Sequence, residues 1–235
     1  MTAPFLAEHE PHRRLLAEEV SRAVGAGALG LLLCGSVARG TARPTSDLDL
    51  WLFWPENRPF ETERQRGILI ERHGYTFARA RERIETGGSA LYPWREGQIL
   101  HDPHGELARL SARASLLLTS FRVSHAERRA LRHWLLTTLD KLDGAAPAPA
   151  LFLVHTTTWK LAEALCAVNG CPAPPATLMW ELLPTLPLSP SGPWLEELLC
   201  AGGEVRLSTF RRVAVWLIEA LADEPALPAS LTLPP

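Results

Sequence analysis

Two aspartates one position apart are the residues of this chain best suited to chemistry. Asp47 and Asp49 alternate with Leu48 and Leu50. Residues i and i+2 of a strand point to the same face, so the two carboxylates project together while the leucines pack on the opposite side. Adjacent carboxylates repel each other unless a positive charge lies between them. Because Mg²⁺ is commonly held by one or two carboxylates together with substrate phosphates, the pair predicts a metal centre for chemistry at phosphorus.

A turn of small residues precedes the aspartates and is suited to holding phosphate. Gly35 has no Cβ, so a phosphate can approach the backbone closely. Ser36 supplies a hydroxyl group and a helix N-cap, and 37–40 is predicted to open a short helix whose amides favour an anion. Arg39 adds a planar cation suited to phosphate oxygens. Together with the aspartates, the turn predicts a site for a triphosphate and its cation.

The Gly35-Ser36 turn followed by Asp47 and Asp49 resembles the signature of the polymerase-β-like nucleotidyltransferases. The flanking residues are similar to the branch that contains the kanamycin and lincosamide nucleotidyltransferases. This resemblance implies that the two aspartates bind Mg²⁺ and take part in catalysis. It also implies a set of nucleotide-binding residues: Gly35, Ser36, Arg39 and Ser46.

Members of this family often supply a third acid from a later strand, and three glutamates are candidates here: Glu71, Glu82 and Glu85. If residues 75–85 form a strand, Glu82 lies on its apolar face and is the preferred catalytic acid. The alternative is that this arginine-rich segment is a solvated charged stretch. Some relatives place the base on the helical domain instead. Glu163, beside Lys160, is the candidate there, although both also suit the polar face of an ordinary amphipathic helix.

Two further sets of residues admit a structural as well as a chemical interpretation. Trp51 shares the face of Asp49, and it either stacks on a ring of the substrate or packs at the end of the sheet. His101, Asp102 and His104 are metal-ligating residue types, but their spacing suits a turn, which is the preferred interpretation.

The elements that must position these residues alternate between helix and strand in the first half of the chain. The predicted order is a helix at 11–26, strands at 29–34 and 48–53, a helix at 61–73 closed by Gly74, the ambiguous segment 75–85 and a strand at 98–101. This alternation fits a small α/β domain with a mixed sheet over residues 1–105.

The second half is predicted to be helical. Apolar residues recur at helical spacing over 126–142, 151–168 and 210–221, and a linker rich in proline and alanine at 144–149 separates the first two. Residues 106–235 are therefore predicted to form a helical bundle. The fold class is α+β: a nucleotidyltransferase domain, then a helical domain to which the resemblance assigns substrate binding.

Composition is typical of a soluble enzyme that does not act on nucleic acid. The chain has 235 residues, 46% of them hydrophobic, and a formal charge of −2, so no broad basic surface is expected. The N-terminal residues do not form an apolar signal core, and no apolar run reaches the length of a membrane span. The four cysteines lack metal-ligand spacing and predict reduced thiols in a cytoplasmic protein.

The function predicted from these features is Mg²⁺-dependent transfer of a nucleoside monophosphate, AMP from ATP, to a hydroxyl group. The expected acceptor is an aminoglycoside-like small molecule or another metabolite, and pyrophosphate is released. Two alternatives stay open: a transferase that adds AMP to a partner protein of a toxin–antitoxin pair, and a non-catalytic nucleotide-binding module. The acceptor and the preferred nucleotide are not fixed by the sequence, and a homodimer is left open.

Overall fold

The first half of the chain forms a mixed five-stranded sheet with the strand order β3-β4-β2-β1-β5. The computed structural model describes residues 9–222. The strands are β1 (Gly30–Cys34), β2 (Leu48–Phe53), β3 (Glu61–Gln65), β4 (Ile68–Tyr75) and β5 (Gln98–His101). β1 is antiparallel to β2 and β5, β3 is antiparallel to β4, and β2 and β4 are parallel. The predicted α+β class with a small mixed sheet is confirmed.

Helices cover both faces of the sheet. They are α1 (Glu10–Gly25), α2 (Gly35–Arg39), α3 (Phe77–Thr86), α4 (Tyr92–Glu96) and α5 (Glu106–Ser120). Leu31 and Leu33 point to the face covered by α1, whereas Leu32 points to the face covered by α3, α4 and α5. β1 is therefore buried on both sides, which explains why its sequence is an unbroken apolar run.

A buried ion pair fixes β4 to α1. The Arg72 guanidinium donates two hydrogen bonds of 2.7 Å to the Glu19 carboxylate, and both side chains are buried. Arg22 binds the same carboxylate, and Glu63 also accepts a hydrogen bond from Arg72. Burial alone raises the pKa of Glu19, but its hydrogen bonds from Arg72 and Arg22 outweigh burial and hold that pKa below its ordinary value.

One predicted element of the first half is wrong, and the segment left ambiguous is mostly helical. Residues 61–73, predicted as a helix, form β3, a turn and most of β4. The turn is made by Arg66 and Gly67, which both have positive φ, at 51° and 82°. Such a pair suits the two-residue turns that connect antiparallel strands. Residues 75–85, treated as a strand in choosing Glu82, lie mostly in α3, whose first turn is capped by the Thr76 hydroxyl accepting a hydrogen bond from the Arg79 amide.

The second half is helical, as predicted. Its helices are α6 (His125–Leu142), α7 (Pro147–Val168), α8 (Ala176–Leu182), α9 (Trp194–Cys200) and α10 (Gly203–Ala222), and they share one apolar core. α7 begins at Pro147, so part of the predicted linker is helical, which proline tolerates in a first helical turn. Among residues 9–222, the structure contains no helix with the length and apolar character needed to span a membrane.

The chain divides into two units, one ending at Leu118 and one beginning at Thr119. We call them the first and the second unit. The predicted domain boundary after residue 105 lies at the start of α5, whereas the contacts divide the chain within that helix. Assignment of catalysis to the first unit and of acceptor binding to the second stays a prediction.

Candidate active site

Strand pairing brings a second acid to the side of Asp49. β2 and β4 run parallel, with Asp49 opposite Glu71 and Trp51 opposite His73. On the other side of β2, Asp49 is opposite Cys34, the last residue of β1. Since side chains directly opposite each other point to the same face, Glu71 and His73 project beside Asp49. The site is therefore assembled from strands far apart in the sequence.

Three side chains of this face offer ligand atoms to one point. The atoms of Asp49, Glu71 and His73 all lie within 4.8 Å of one another. Nε2 of His73 is 3.8 Å from Oδ1 of Asp49 and 3.9 Å from Oε2 of Glu71. Ligands at about 2.1 Å from a cation lie at most about 4.2 Å apart. Small side-chain rotations therefore suffice for one divalent cation to contact all three, and we call this set the acid–histidine cluster.

The electrostatics of the cluster favour a cation. Partial burial raises the pKa of Glu71 above its ordinary value, and the negative charges of Asp49 and Asp47 raise it further, while His73 opposes the change. Burial, together with the charges of Asp49 and Glu96, also raises the pKa of the neighbouring Cys34 thiol. Three carboxylates thus share a confined negative field, and a divalent cation would relieve it.

Gly35 makes room for Asp49. Its φ of +71° is a conformation that other residues adopt at a cost, and a Cβ built there would lie 2.5 Å from Oδ2 of Asp49. From the sequence, the role expected of Gly35 was to let a phosphate approach the backbone closely. The structure adds a second reason, since a side chain at position 35 would push Asp49 out of the acid–histidine cluster.

Comparison with known proteins bears on this same region. Residues 13–84 match the family described as Nucleotidyltransferase domain. The first unit contains a nucleotidyltransferase domain. The match runs from within α1 to within α3, so it includes Gly35, Asp47, Asp49 and Glu71. It supports the polymerase-β-like superfamily and the predicted enzyme class, whereas membership of the antibiotic branch stays a prediction.

Other comparisons are weaker. A nucleotidyltransferase-like protein from Exiguobacterium sibiricum 255-15 is similar in structure, with a TM-score of 0.42 and 14% sequence identity. The similarity covers 92% of this chain and 74% of the Exiguobacterium chain. No curated protein matches this chain significantly.

Two predicted nucleotide-binding residues of the nucleotidyltransferase domain have structural partners. Nη1 of Arg39 lies 3.6 Å from the Glu96 carboxylate, and the Arg39 side chain is largely buried. The Ser46 hydroxyl accepts a hydrogen bond from the Arg43 amide, and the Ser46 carbonyl lies 2.8 Å from Nε2 of His12. These contacts order the loop that leads to Asp47. Nucleotide binding by Gly35, Ser36, Arg39 and Ser46 stays a prediction.

The structure favours Glu71 over Glu82 as the third acid of the nucleotidyltransferase domain. Glu82 lies exposed on α3, and the strand on which its choice rested does not exist. Glu85, also on α3, accepts two hydrogen bonds of 2.8 Å from Arg113. Glu71 was among the candidates, but the wrong helix at 61–73 hid its position beside Asp49.

His73 was missed altogether. The available signal was its spacing, because a residue two positions after Glu71 shares the face of Glu71 if the segment is a strand. Ile68 and Ile70 show the same alternation on the opposite face, where both are buried.

The remaining residues of the first unit have structural roles that support the plainer interpretations. Trp51 is buried and packs against Tyr75 and Trp94, with ring centroids 4.9 and 5.5 Å away. Oδ2 of Asp102 accepts a hydrogen bond from the Ala108 amide, so the segment after β5 is a turn that caps α5.

The alternative base, Glu163, lies in a groove of the second unit. The groove has a volume of about 430 Å³, and its lining includes Phe121, Glu127, Trp134, Lys160 and Glu163. Nζ of Lys160 donates a 2.7 Å hydrogen bond to the Glu163 carboxylate. This local ion pair between residues three apart on α7 agrees with the interpretation of both as the polar face of a helix.

Proposed function

We propose that the chain transfers the nucleoside monophosphate of a nucleoside triphosphate, AMP from ATP, to a hydroxyl group of a small-molecule acceptor and releases pyrophosphate. The observation that carries this proposal is the position of Asp49 and Glu71 on adjacent parallel strands, with Asp47 close enough to affect the pKa of Glu71. All three lie inside the matched nucleotidyltransferase region.

The donor set fits a divalent cation. Carboxylate oxygens are the ligands preferred by Mg²⁺, and the raised pKa of Glu71 reflects crowded negative charge that a cation offsets. We assign the cation to Asp47, Asp49 and Glu71. When bound, a divalent cation would neutralise the charge that develops on the phosphate oxygens and on the leaving pyrophosphate.

The residues of the chain contribute chiefly by positioning. Gly35 leaves Asp49 the space to project into the site, and the β2–β4 pairing holds Glu71 at its side. In our proposal Gly35, Ser36, Arg39 and Ser46 hold the triphosphate, so that the acceptor hydroxyl meets the α-phosphorus opposite the pyrophosphate. Catalysis by positioning of this kind is worth several orders of magnitude in rate.

The acceptor is proposed to be a hydroxylated, cationic small molecule. The resemblance to the antibiotic branch supports this class. The groove of the second unit has a volume within the range of small-molecule sites, about 300–1,000 Å³. Its aromatic residues, Phe121 and Trp134, suit an organic cation. Its carboxylates are Glu127, which accepts hydrogen bonds from Ser124, and Glu163, which is paired with Lys160.

The test is incubation with α-labelled ATP, Mg²⁺ and a panel of hydroxylated antibiotics, with pyrophosphate and labelled acceptor as readouts. We expect one acceptor class to become labelled. Asp47→Asn and Asp49→Asn should keep the fold, measured by circular dichroism, and abolish transfer. Undiminished transfer in both variants would contradict the metal assignment.

Other outcomes separate the alternatives. Label that appears in a protein partner in place of the antibiotic would indicate a protein-modifying transferase. Nucleotide binding without pyrophosphate release, with every acceptor and every nucleoside triphosphate, would indicate a non-catalytic module.

A further inference from the structure

His73 gives the acid–histidine cluster a nitrogen donor. Its Nε2 atom lies close to both carboxylates, 3.8 Å from Oδ1 of Asp49 and 3.9 Å from Oε2 of Glu71. Its side chain is about as accessible as theirs, at 31% against 29% and 28%. The imidazole thus reaches the same open point as the acids.

The neighbours of His73 restrict the orientation of its ring. The Tyr75 ring lies almost parallel to it, with an interplanar angle of 14°, and the Trp51 ring meets it at 61°. The Phe60 ring is 4.6 Å away, centroid to centroid. Trp51 and Tyr75 are themselves buried in the aromatic core of this face. These neighbours limit the plane of the ring, and in this plane Nε2 lies within 4 Å of both carboxylates.

The ligand type determines which ions such a centre prefers. Mg²⁺ takes oxygen ligands and keeps several waters, whereas imidazole suits first-row transition ions, most strongly iron, nickel, copper and zinc. We propose that His73 is a direct ligand of the divalent cation in the acid–histidine cluster. The ratio of the affinity for a transition ion such as Mn²⁺ to the affinity for Mg²⁺ is then higher than in a centre made of carboxylates alone. The inference rests on the proposed function, because it concerns the same cation.

The test uses Mn²⁺ as a spectroscopic probe. Mn²⁺ is titrated into the full-length protein, alone and with inorganic triphosphate, which contains no nitrogen, and bound Mn²⁺ is measured by electron paramagnetic resonance. Pulsed measurements then report nitrogen nuclei bonded to the ion. We expect ¹⁴N modulation in the wild-type protein and its loss in His73→Asn. We also expect the ratio of Mn²⁺ to Mg²⁺ affinity to fall about tenfold or more in that variant.

The matched control is His104→Asn. His104 is exposed in the turn after β5, outside the acid–histidine cluster, so this variant should keep the nitrogen signal and the affinity ratio of the wild type. If His73→Asn does not fold, the wild-type spectrum alone tests the proposal. ¹⁴N modulation supports a nitrogen ligand, and its absence contradicts one.

Failure of this inference differs from failure of the proposed function. If Mn²⁺ binds the wild-type protein without ¹⁴N modulation, His73 is not a ligand, while the carboxylate centre stands. If neither Mn²⁺ nor Mg²⁺ binds, with or without triphosphate, the metal-dependent function is wrong and this inference is wrong with it.

Discussion

Replacing Gly35 with alanine should lower the stability of the fold and also displace the Asp49 side chain. The backbone at position 35 has φ +71°, which costs an L-residue about 1–2 kcal/mol. The new Cβ would also lie 2.5 Å from Oδ2 of Asp49, well inside ordinary van der Waals contact. Asp49 would relieve this contact by rotating off its preferred side-chain conformation, at a cost of about 0.5–1.5 kcal/mol. We expect a total loss of about 1.5–3.5 kcal/mol in the free energy of unfolding.

Metal binding should weaken as well. Once Asp49 has moved, one of the carboxylates no longer reaches the cation. Mutations that displace or misorient a ligand typically lower metal affinity by about 10–100-fold, and we expect a loss of that size for Mn²⁺ in Gly35→Ala. Urea unfolding measures the first effect, and Mn²⁺ titration followed by electron paramagnetic resonance measures the second.

Gly27→Ala is the matched control. Gly27 also has a positive φ, +84°, but a Cβ there meets no atom within 4 Å. This variant should lose about 1–2 kcal/mol of stability from the backbone alone and keep wild-type Mn²⁺ affinity. Our reasoning is refuted if Gly35→Ala binds Mn²⁺ as tightly as the wild type. It is refuted as well if the two variants lose metal affinity equally, since the loss then follows destabilisation and not the contact with Asp49.

Two further predictions concern the acids and the ion pair. Glu71→Gln should lower Mn²⁺ affinity and nucleotidyl transfer by about tenfold or more, while Glu82→Gln, on an exposed helix face, should leave both unchanged; equal effects would argue against Glu71 as the third acid. Glu19→Gln should cost about 3 kcal/mol in urea unfolding at neutral pH, because it leaves the buried Arg72 without its main partner. The pKa of Glu19 is lower in the fold than in the unfolded chain, so its contribution is complete above about pH 4.3 and is lost as the pH falls through the folded-state pKa; the stability difference between Glu19→Gln and the wild type should shrink in acid.

The sequence alone was sufficient to predict the elements defined by local signals. β1 and β2 are apolar runs bounded by glycine and proline, and the structure has both, with β2 at the predicted 48–53. The long helices α6, α7 and α10 follow from apolar residues at helical spacing. Alternation along a strand is also a local rule, but β2 begins at Leu48, so the shared face of Asp47 and Asp49 stays a prediction.

The hairpin of β3 and β4 was missed for a physical reason. β3 lies at the edge of the sheet and is exposed along nearly its whole length, so it carries polar residues on both faces and lacks the alternation typical of a strand. Gly67 marked the turn, but its partner Arg66 is an unusual residue at positive φ and gave no signal. The pairing of β4 with β2 joins distant parts of the chain. No short window of sequence contains it, and Glu71 and His73 depend on it.

The alternation of β4 links the two faces of the sheet. Glu71 and His73 project toward Asp49, and Arg72, which lies between them in sequence, projects to the other face and binds Glu19. A shift of β4 by one residue would carry Arg72 into the site and bury both Glu71 and His73 against α1. In that register Glu19 would lose its partner, and breaking a buried ion pair costs about 3–5 kcal/mol. The Arg72–Glu19 pair therefore lies outside the acid–histidine cluster and still determines which side chains of β4 belong to it.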